Sequence, residues 1–265
     1  MTELLEHLEA KRETGRKLLV PYLMAAIPNR DSFADAVIAL AAHADAIEVG
    51  LPYSDPLMDG PVIASAGERA LRNGVGPKLA LELVSATRAA QAPRLVMTYY
   101  NPIHRMGEGA FCKRAAAAGV TGLIVPDLPL EESGDLRRHA ADQGLAWIPL
   151  VAPTSSRQRV AALAETCTGF VYAVSSLGVT GVRASLSERA AQVTAACREA
   201  TDRPVLVGIG VSSAEHAVEA TRSADGVVVG SAVVAALVDE GLTAAVAFVE
   251  GVRSALDAQA SVKNS

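Results

Sequence analysis

Eight short apolar runs recur along the chain, and each is followed by a stretch with apolar residues at helical spacing. The runs fall at residues 17–26, 46–51, 94–100, 122–126, 146–151, 169–175, 204–209 and 226–229. Amphipathic stretches follow at 31–43, 61–72, 77–90, 108–118, 131–143, 155–165, 186–199 and 214–221, with more helical material after the last run. Strands that alternate with helices make parallel βαβ units, because a parallel partner is reached only by a crossover. Eight such units in 265 residues match the size of a closed barrel. The expected fold is therefore an α/β (β/α)8 TIM barrel. Leu4, Leu5 and Leu8 add a helix before the first strand, and the βα loops leave room for added helices. An open doubly wound sheet would carry a glycine-rich dinucleotide turn after strand one, and residues 25–29 (AAIPN) are not one. No linker rich in Pro, Gly or Ser interrupts the pattern. One domain is expected over 1–265, with the polar tail 258–265 fraying.

Composition narrows the class. Half of the residues are hydrophobic but only 4% are aromatic, so alanine and valine must do much of the packing. The net charge is −5 with both signs scattered, and no basic stripe offers a nucleic-acid footprint. Glu3, Glu6, Glu9 and Glu13 open the chain where a secretory signal would be basic and then apolar. No run approaches the roughly 18 apolar residues of a membrane span. A cytoplasmic location is expected. Cys112, Cys167 and Cys197 are distant and odd in number. That argues against a disulfide framework or a zinc site, and no metal is expected.

Four places could carry chemistry. In the run 46–51, alternation puts Ala46, Glu48 and Gly50 on one face and Ile47, Val49 and Leu51 on the other. The apolar set should meet the helices, so Glu48 should point into the lumen near the C-terminal end of its strand, where barrels keep their active sites. Its plain alternative is a glutamate bonded to a neighbouring strand. The loop 51–61 holds Pro52, Pro56, Pro61 and Gly60 around Asp55 and Asp59. Asp59 could also cap the helix beginning near Pro61. Gly178 and Gly181 give residues 175–183 the freedom of a lid, or of a passive surface loop. Gly208 and Gly210 after run seven, with Gly230-Ser231 after run eight, suit backbone approach to a phosphate at a helix N-terminus, though each glycine could be only a turn. His7, His43, His104, His139 and His216 lack ligand-spaced partners and read as surface or packing residues. No HExxH, GxSxG or P-loop pattern occurs.

Residues 46–61, AIEVGLPYSDPLMDGP, closely resemble the signature of the tryptophan synthase alpha family. The resemblance continues in order through MTYYNP (97–102), VPDLP (125–129), FVY (170–172), GVTG (178–181), GIGVS (208–212) and Gly230-Ser231. It implies retro-aldol cleavage of indole-3-glycerol phosphate to indole and glyceraldehyde 3-phosphate in tryptophan biosynthesis. Glu48 falls on the family's catalytic acid/base, and Asp59 on the carboxylate that meets the indole nitrogen. Tyr172 falls beside the catalytic glutamate, and Thr180 on the lid threonine that bonds to the aspartate of loop two. Gly181, Gly210, Gly230 and Ser231 fall on phosphate-binding positions, and Tyr22 lies where the family often has phenylalanine against the substrate.

The resemblance further implies that this chain uses no cofactor of its own. Its partner would be a beta subunit that carries pyridoxal phosphate, joined in an alpha2beta2 heterotetramer that residues 52–56 help to form. The alternative is a free-standing indole-3-glycerol phosphate lyase of secondary metabolism with no beta partner. Two others are a sugar-phosphate isomerase or epimerase on the same fold, and an alpha-like protein that only regulates a partner. Departures from the family pattern occur at residues 25–29, at Ser176-Leu177 in the lid, where arginine-alanine is common, and at Ile209, where phenylalanine is common.

Overall fold

The computed structural model describes residues 1–174, 183–208 and 210–263. Helix α1 (Glu3–Glu13) leads into β1 (Leu18–Met24), α2 (Phe33–Ala41), β2 (Ile47–Gly50), α3 (Pro61–Arg72), α4 (Pro77–Ser85) and β3 (Arg94–Met97). Next come α5 (Tyr100–Met106), α6 (Glu108–Ala117), β4 (Val120–Ile124), a 3-10 turn (Leu130–Glu132), α7 (Gly134–Asp142), β5 (Ala146–Trp147) and β6 (Leu150–Val151). The chain continues through α8 (Arg157–Glu165), β7 (Val171–Val174), α9 (Arg183–Ala200), β8 (Val205–Gly208), α10 (Ala214–Ala220), β9 (Gly226–Val229), α11 (Ser231–Asp239) and α12 (Leu242–Lys263).

All described strands are parallel, in the order β5-β4-β3-β2-β1-β9-β8-β7-β6. The two ends of that order are consecutive in sequence. Pro149 has no N–H to give to a ladder, so the run 146–151 divides into β5 and β6. Its backbone still bridges both sides: Ile148 N–H donates to the Leu123 carbonyl (3.1 Å), and Tyr172 N–H donates to that of Pro149 (3.0 Å). The sheet thus closes into a barrel of eight walls, with the fifth wall in two pieces.

Alternation sorts the side chains. Leu19, Leu23, Ile47, Val49 and Leu51 pack outward among the helices. Leu18, Val20, Ala46, Leu95, Phe170, Leu206 and Val228 fill the lumen. Helix α1 closes the floor with Leu4 and Leu8. Gly122 and Gly169 leave the space that Leu4 uses, since a Cβ on either would lie 3.0–3.1 Å from its Cδ2. Thr2 caps α1 by accepting the Leu5 N–H (3.3 Å) and ties it down by donating to the Thr168 carbonyl (2.5 Å). Two buried aspartates clamp the same end. Asp45 accepts the Leu19 N–H (2.8 Å), Arg16 Nε (2.8 Å) and Arg253 Nη1 (3.1 Å). Asp225 accepts the Val205 N–H (2.9 Å) and Arg198 Nη2 (2.5 Å).

Several expectations are refined. Helix α2 starts at Phe33, not at an Asp31 cap; Asn29 Oδ1 accepts the N–H groups of Asp31 (3.1 Å) and Ser32 (3.0 Å). The third strand ends at Met97, and a helix already begins at Tyr100. A 3-10 turn precedes α7 where one continuous helix was expected. Helix α12 continues to Lys263, across most of the segment expected to fray. Among the described residues no helix is long and apolar enough to cross a membrane. At the 25–29 departure, Ala26 adopts φ +67°. A left-handed conformation costs a non-glycine residue roughly 1–2 kcal/mol.

Candidate active site

Glu48 lies on β2 with its Cα in register with Tyr22 of β1, and it is 1% exposed. Its face is the lumen, as the alternation predicts. Among the described residues its buried Oε2 has no hydrogen-bond partner. A buried carboxylate oxygen with no partner is costly, which favours the protonated form. Burial first, then the nearby charge of Asp59, pushes the Glu48 carboxyl up to about 8.

Asp59 reaches the same space from the loop between β2 and α3. It does not cap α3, whose N-cap is Gly60 and whose first residue is Pro61. Burial raises its pKa, and a hydrogen bond from the Tyr99 hydroxyl opposes that rise. The same hydroxyl accepts the Met58 N–H (2.9 Å). Tyr99 stands just beyond β3, its ring 5.2 Å from that of Tyr53. Tyr53 in turn receives Asn101 Nδ2 (3.2 Å). These contacts tie the proline-rich loop to the start of α5. The Asp127 carboxylate, from beyond β4, accepts the Tyr100 N–H (2.8 Å) and steadies that start. Tyr99 and Asp127 lie within the quoted motifs MTYYNP and VPDLP, but spacing assigned them no role.

Two tyrosines line the carboxylate pair. The Tyr22 ring crosses above Gly50: a Cβ there would sit 2.0 Å from the Tyr22 hydroxyl. The Tyr172 ring crosses above Gly208, where a Cβ would sit 2.8 Å from its hydroxyl. Each glycine is therefore required by a neighbouring aromatic. Burial raises both phenols well above their ordinary pKa, with further contributions from the charges of Glu48 and Asp59.

The phosphate candidates gather at the same end of the barrel. Gly210 takes φ +63°, a conformation that favours glycine. Gly230 is the N-cap of α11, and Ser231 is its first residue. The N–H groups of that first turn have no partner within the helix. A Cβ on Gly230 would meet Ile63 Cδ1 at 3.3 Å and Tyr22 Cβ at 3.7 Å. Tyr22 thus extends between the α11 N-terminus and the carboxylates. Thr180, Gly181, Ser176-Leu177 and Ile209 lie outside the described residues. A cavity of about 320 Å³ lies to one side, walled by Met58, Asp127, Leu130, Trp147, Arg159 and Val174 among others; none of Glu48, Asp59, Tyr22 and Tyr172 lines it.

The family model described as "Tryptophan synthase alpha chain" matches residues 8–260. The chain belongs to the tryptophan synthase alpha chain family. It is 44% identical over 262 residues to the tryptophan synthase alpha chain of Synechococcus elongatus, covering 98% of each chain. It is 47% identical over 243 residues to that of Mycobacterium avium, covering 91% of this chain and 90% of the relative. A tryptophan synthase structure from Mycobacterium tuberculosis superposes with TM-score 0.90 at 41% identity, over 96% of this chain and 98% of that one. The alpha subunit from Legionella pneumophila does so with TM-score 0.88 at 30% identity, over 97% and 99%. The chain is an enzyme of tryptophan biosynthesis built on a TIM barrel.

Proposed function

We propose that this chain is a carbon–carbon lyase that cleaves indole-3-glycerol phosphate to indole and glyceraldehyde 3-phosphate. The observation that carries the reading is the buried Glu48 carboxyl, its Oε2 without a partner among the described residues and its pKa raised to about 8 by burial and by the charge of Asp59. Cleavage of the bond between indole C3 and the glycerol chain needs a proton on C3. Glu48 gives that proton, and the positive charge then developing on the ring N–H is met by the Asp59 carboxylate. The Glu48 carboxylate next takes the proton of the chain hydroxyl. As that O–H breaks, a C=O forms, the bond to C3 breaks, and its electron pair restores the neutral indole. Glu48 ends protonated, as it began, so the balance requires no metal, oxidant or cofactor. Positioned acid–base groups of this kind contribute roughly 10²–10⁴-fold.

Gly210, Gly230 and Ser231 are suited to hold the phosphate at the α11 N-terminus, and the family resemblance adds Gly181 and Thr180, which lie outside the described residues. Tyr172 would lie beside Glu48, and Tyr22 beneath the substrate. A phosphate anchor supplies remote binding energy that places the reacting end. The relatives' family and the proline-rich loop support a partner: a beta subunit that carries pyridoxal phosphate, in an alpha2beta2 heterotetramer in the cytoplasm.

Release of indole from indole-3-glycerol phosphate tests the reading, measured with the purified chain alone and with the beta subunit from the same source. Slow turnover that beta strongly raises is the expected outcome. No indole under either condition would overturn it.

A further inference from the structure

The Tyr22 hydroxyl is a polar group of the site with no work assigned to it. The residue is 3% exposed, and its ring lies in the lumen. Burial and the charges of Asp59, Glu48, Tyr99 and Tyr172 act on the phenol. The fold nevertheless keeps room for it. Gly50 stands where any side chain would collide with this oxygen, at 2.0 Å. A phenylalanine ring would still crowd Gly50, since Cζ lies 2.6 Å from the same Cβ position. The glycine explains where the ring lies; it does not explain why the ring ends in a hydroxyl.

Two directions locate what the hydroxyl meets. The Cβ end of Tyr22 lies against Gly230, at the cap of α11. The hydroxyl end lies above Gly50, two residues from Glu48 on β2, under the charges of Asp59 and Glu48. A substrate held by phosphate at one end and by its ring N–H at the other must lay its three-carbon chain along this ring. The carbon whose bond to indole breaks then falls at the hydroxyl end.

We propose that the Tyr22 hydroxyl donates a hydrogen bond to the substrate oxygen on that carbon, while Glu48 takes the same oxygen's proton. The inference rests on the lyase reading above and adds a second group at the reacting oxygen. No proton passes from Tyr22. As the oxygen loses its own proton to Glu48 it gains negative character before the carbonyl forms, and the Tyr22 O–H meets it at that moment. A donor that tightens as charge develops accelerates the chemical step more than it strengthens ground-state binding. The phenol keeps its proton throughout neutrality, because burial and two carboxylates raise its pKa well above the ordinary value.

The test compares wild type with Tyr22→Phe in the full chain, with the beta subunit present. Two ligands are used: indole-3-glycerol phosphate, and the analogue in which hydrogen replaces both chain hydroxyls. The expected result is a fall in kcat of about tenfold, with KM little changed, worth about 1.4 kcal/mol. Affinity for the deoxy analogue should be unchanged, which also shows the variant to be folded. An unchanged kcat would overturn the proposal. So would an equal loss for substrate and analogue, which would make Tyr22 a packing residue only. A wild type that releases no indole would instead overturn the lyase reading, and this inference with it.

Discussion

A carboxylic acid whose pKa rises on folding makes stability depend on pH with a definite sign. Glu48 is pushed from its ordinary value up to about 8. Below pH 4.5 it is protonated both folded and unfolded, and costs nothing through ionisation. Between pH 4.5 and 8 the unfolded chain ionises it while the folded chain resists, so stability is lost as pH rises. At pH 7 the loss is on the order of 3 kcal/mol, at about 1.4 kcal/mol per unit. Glu48→Gln should therefore gain stability relative to wild type as pH climbs from 4 to 8, while losing nearly all lyase turnover. Urea unfolding at pH 4, 6 and 8 measures this. A stability difference that stays flat across the range would refute it. In the wild type, kcat/KM should fall as pH passes about 8, where Glu48 ceases to hold the proton that C3 needs.

At the scale of elements, the proline-rich loop is aimed by a residue it does not contain. Tyr99, just beyond β3, holds the loop through the Met58 N–H and the Asp59 carboxylate. Its hydrogen bond favours the ionised form of Asp59, so removing it raises the Asp59 pKa further. Tyr99→Phe should move the acid limb of the pH–rate profile to higher pH. It should also lower kcat/KM by roughly 10- to 100-fold, the range expected when a charged group loses one hydrogen bond. An acid limb that does not move would show Asp59 to be held by other contacts.

The same region shows what sequence pattern can and cannot carry. Period-two alternation placed Glu48 in the lumen, because the outward residues Ile47, Val49 and Leu51 leave it no other face. Strand–helix alternation likewise yielded the barrel and its fifth wall at 146–151. The helix at Tyr100 was not legible, since MTYYNP has the aromatic and β-branched content of a strand end. What starts that helix is Asp127, a side chain from beyond the next strand, which receives the Tyr100 N–H. Tyr22 and Tyr172 could be named by resemblance. The glycines beneath them, Gly50 and Gly208, acquire their reason only when neighbouring strands are side by side.

For the whole molecule, the fifth wall matters most. Its lower half pairs with β4, at Gly122↔Ala146 and Leu123↔Trp147, and its upper half with β7, at Leu150↔Tyr172 and Val151↔Ala173. Neither half is stitched along its whole length on both sides. A ring fastened in this way behaves as a clasp: it can spring at one place while the rest of the hoop stays whole. The backbone amide of Ile148, in the break between β5 and β6, should exchange with deuterated water well ahead of those of Glu48 and Val49, which are paired on both sides. Equal protection would mean that the hoop opens only as a unit. Unequal protection would place the catch in the fifth wall, so that the barrel gives there without disturbing the strands that aim the acid.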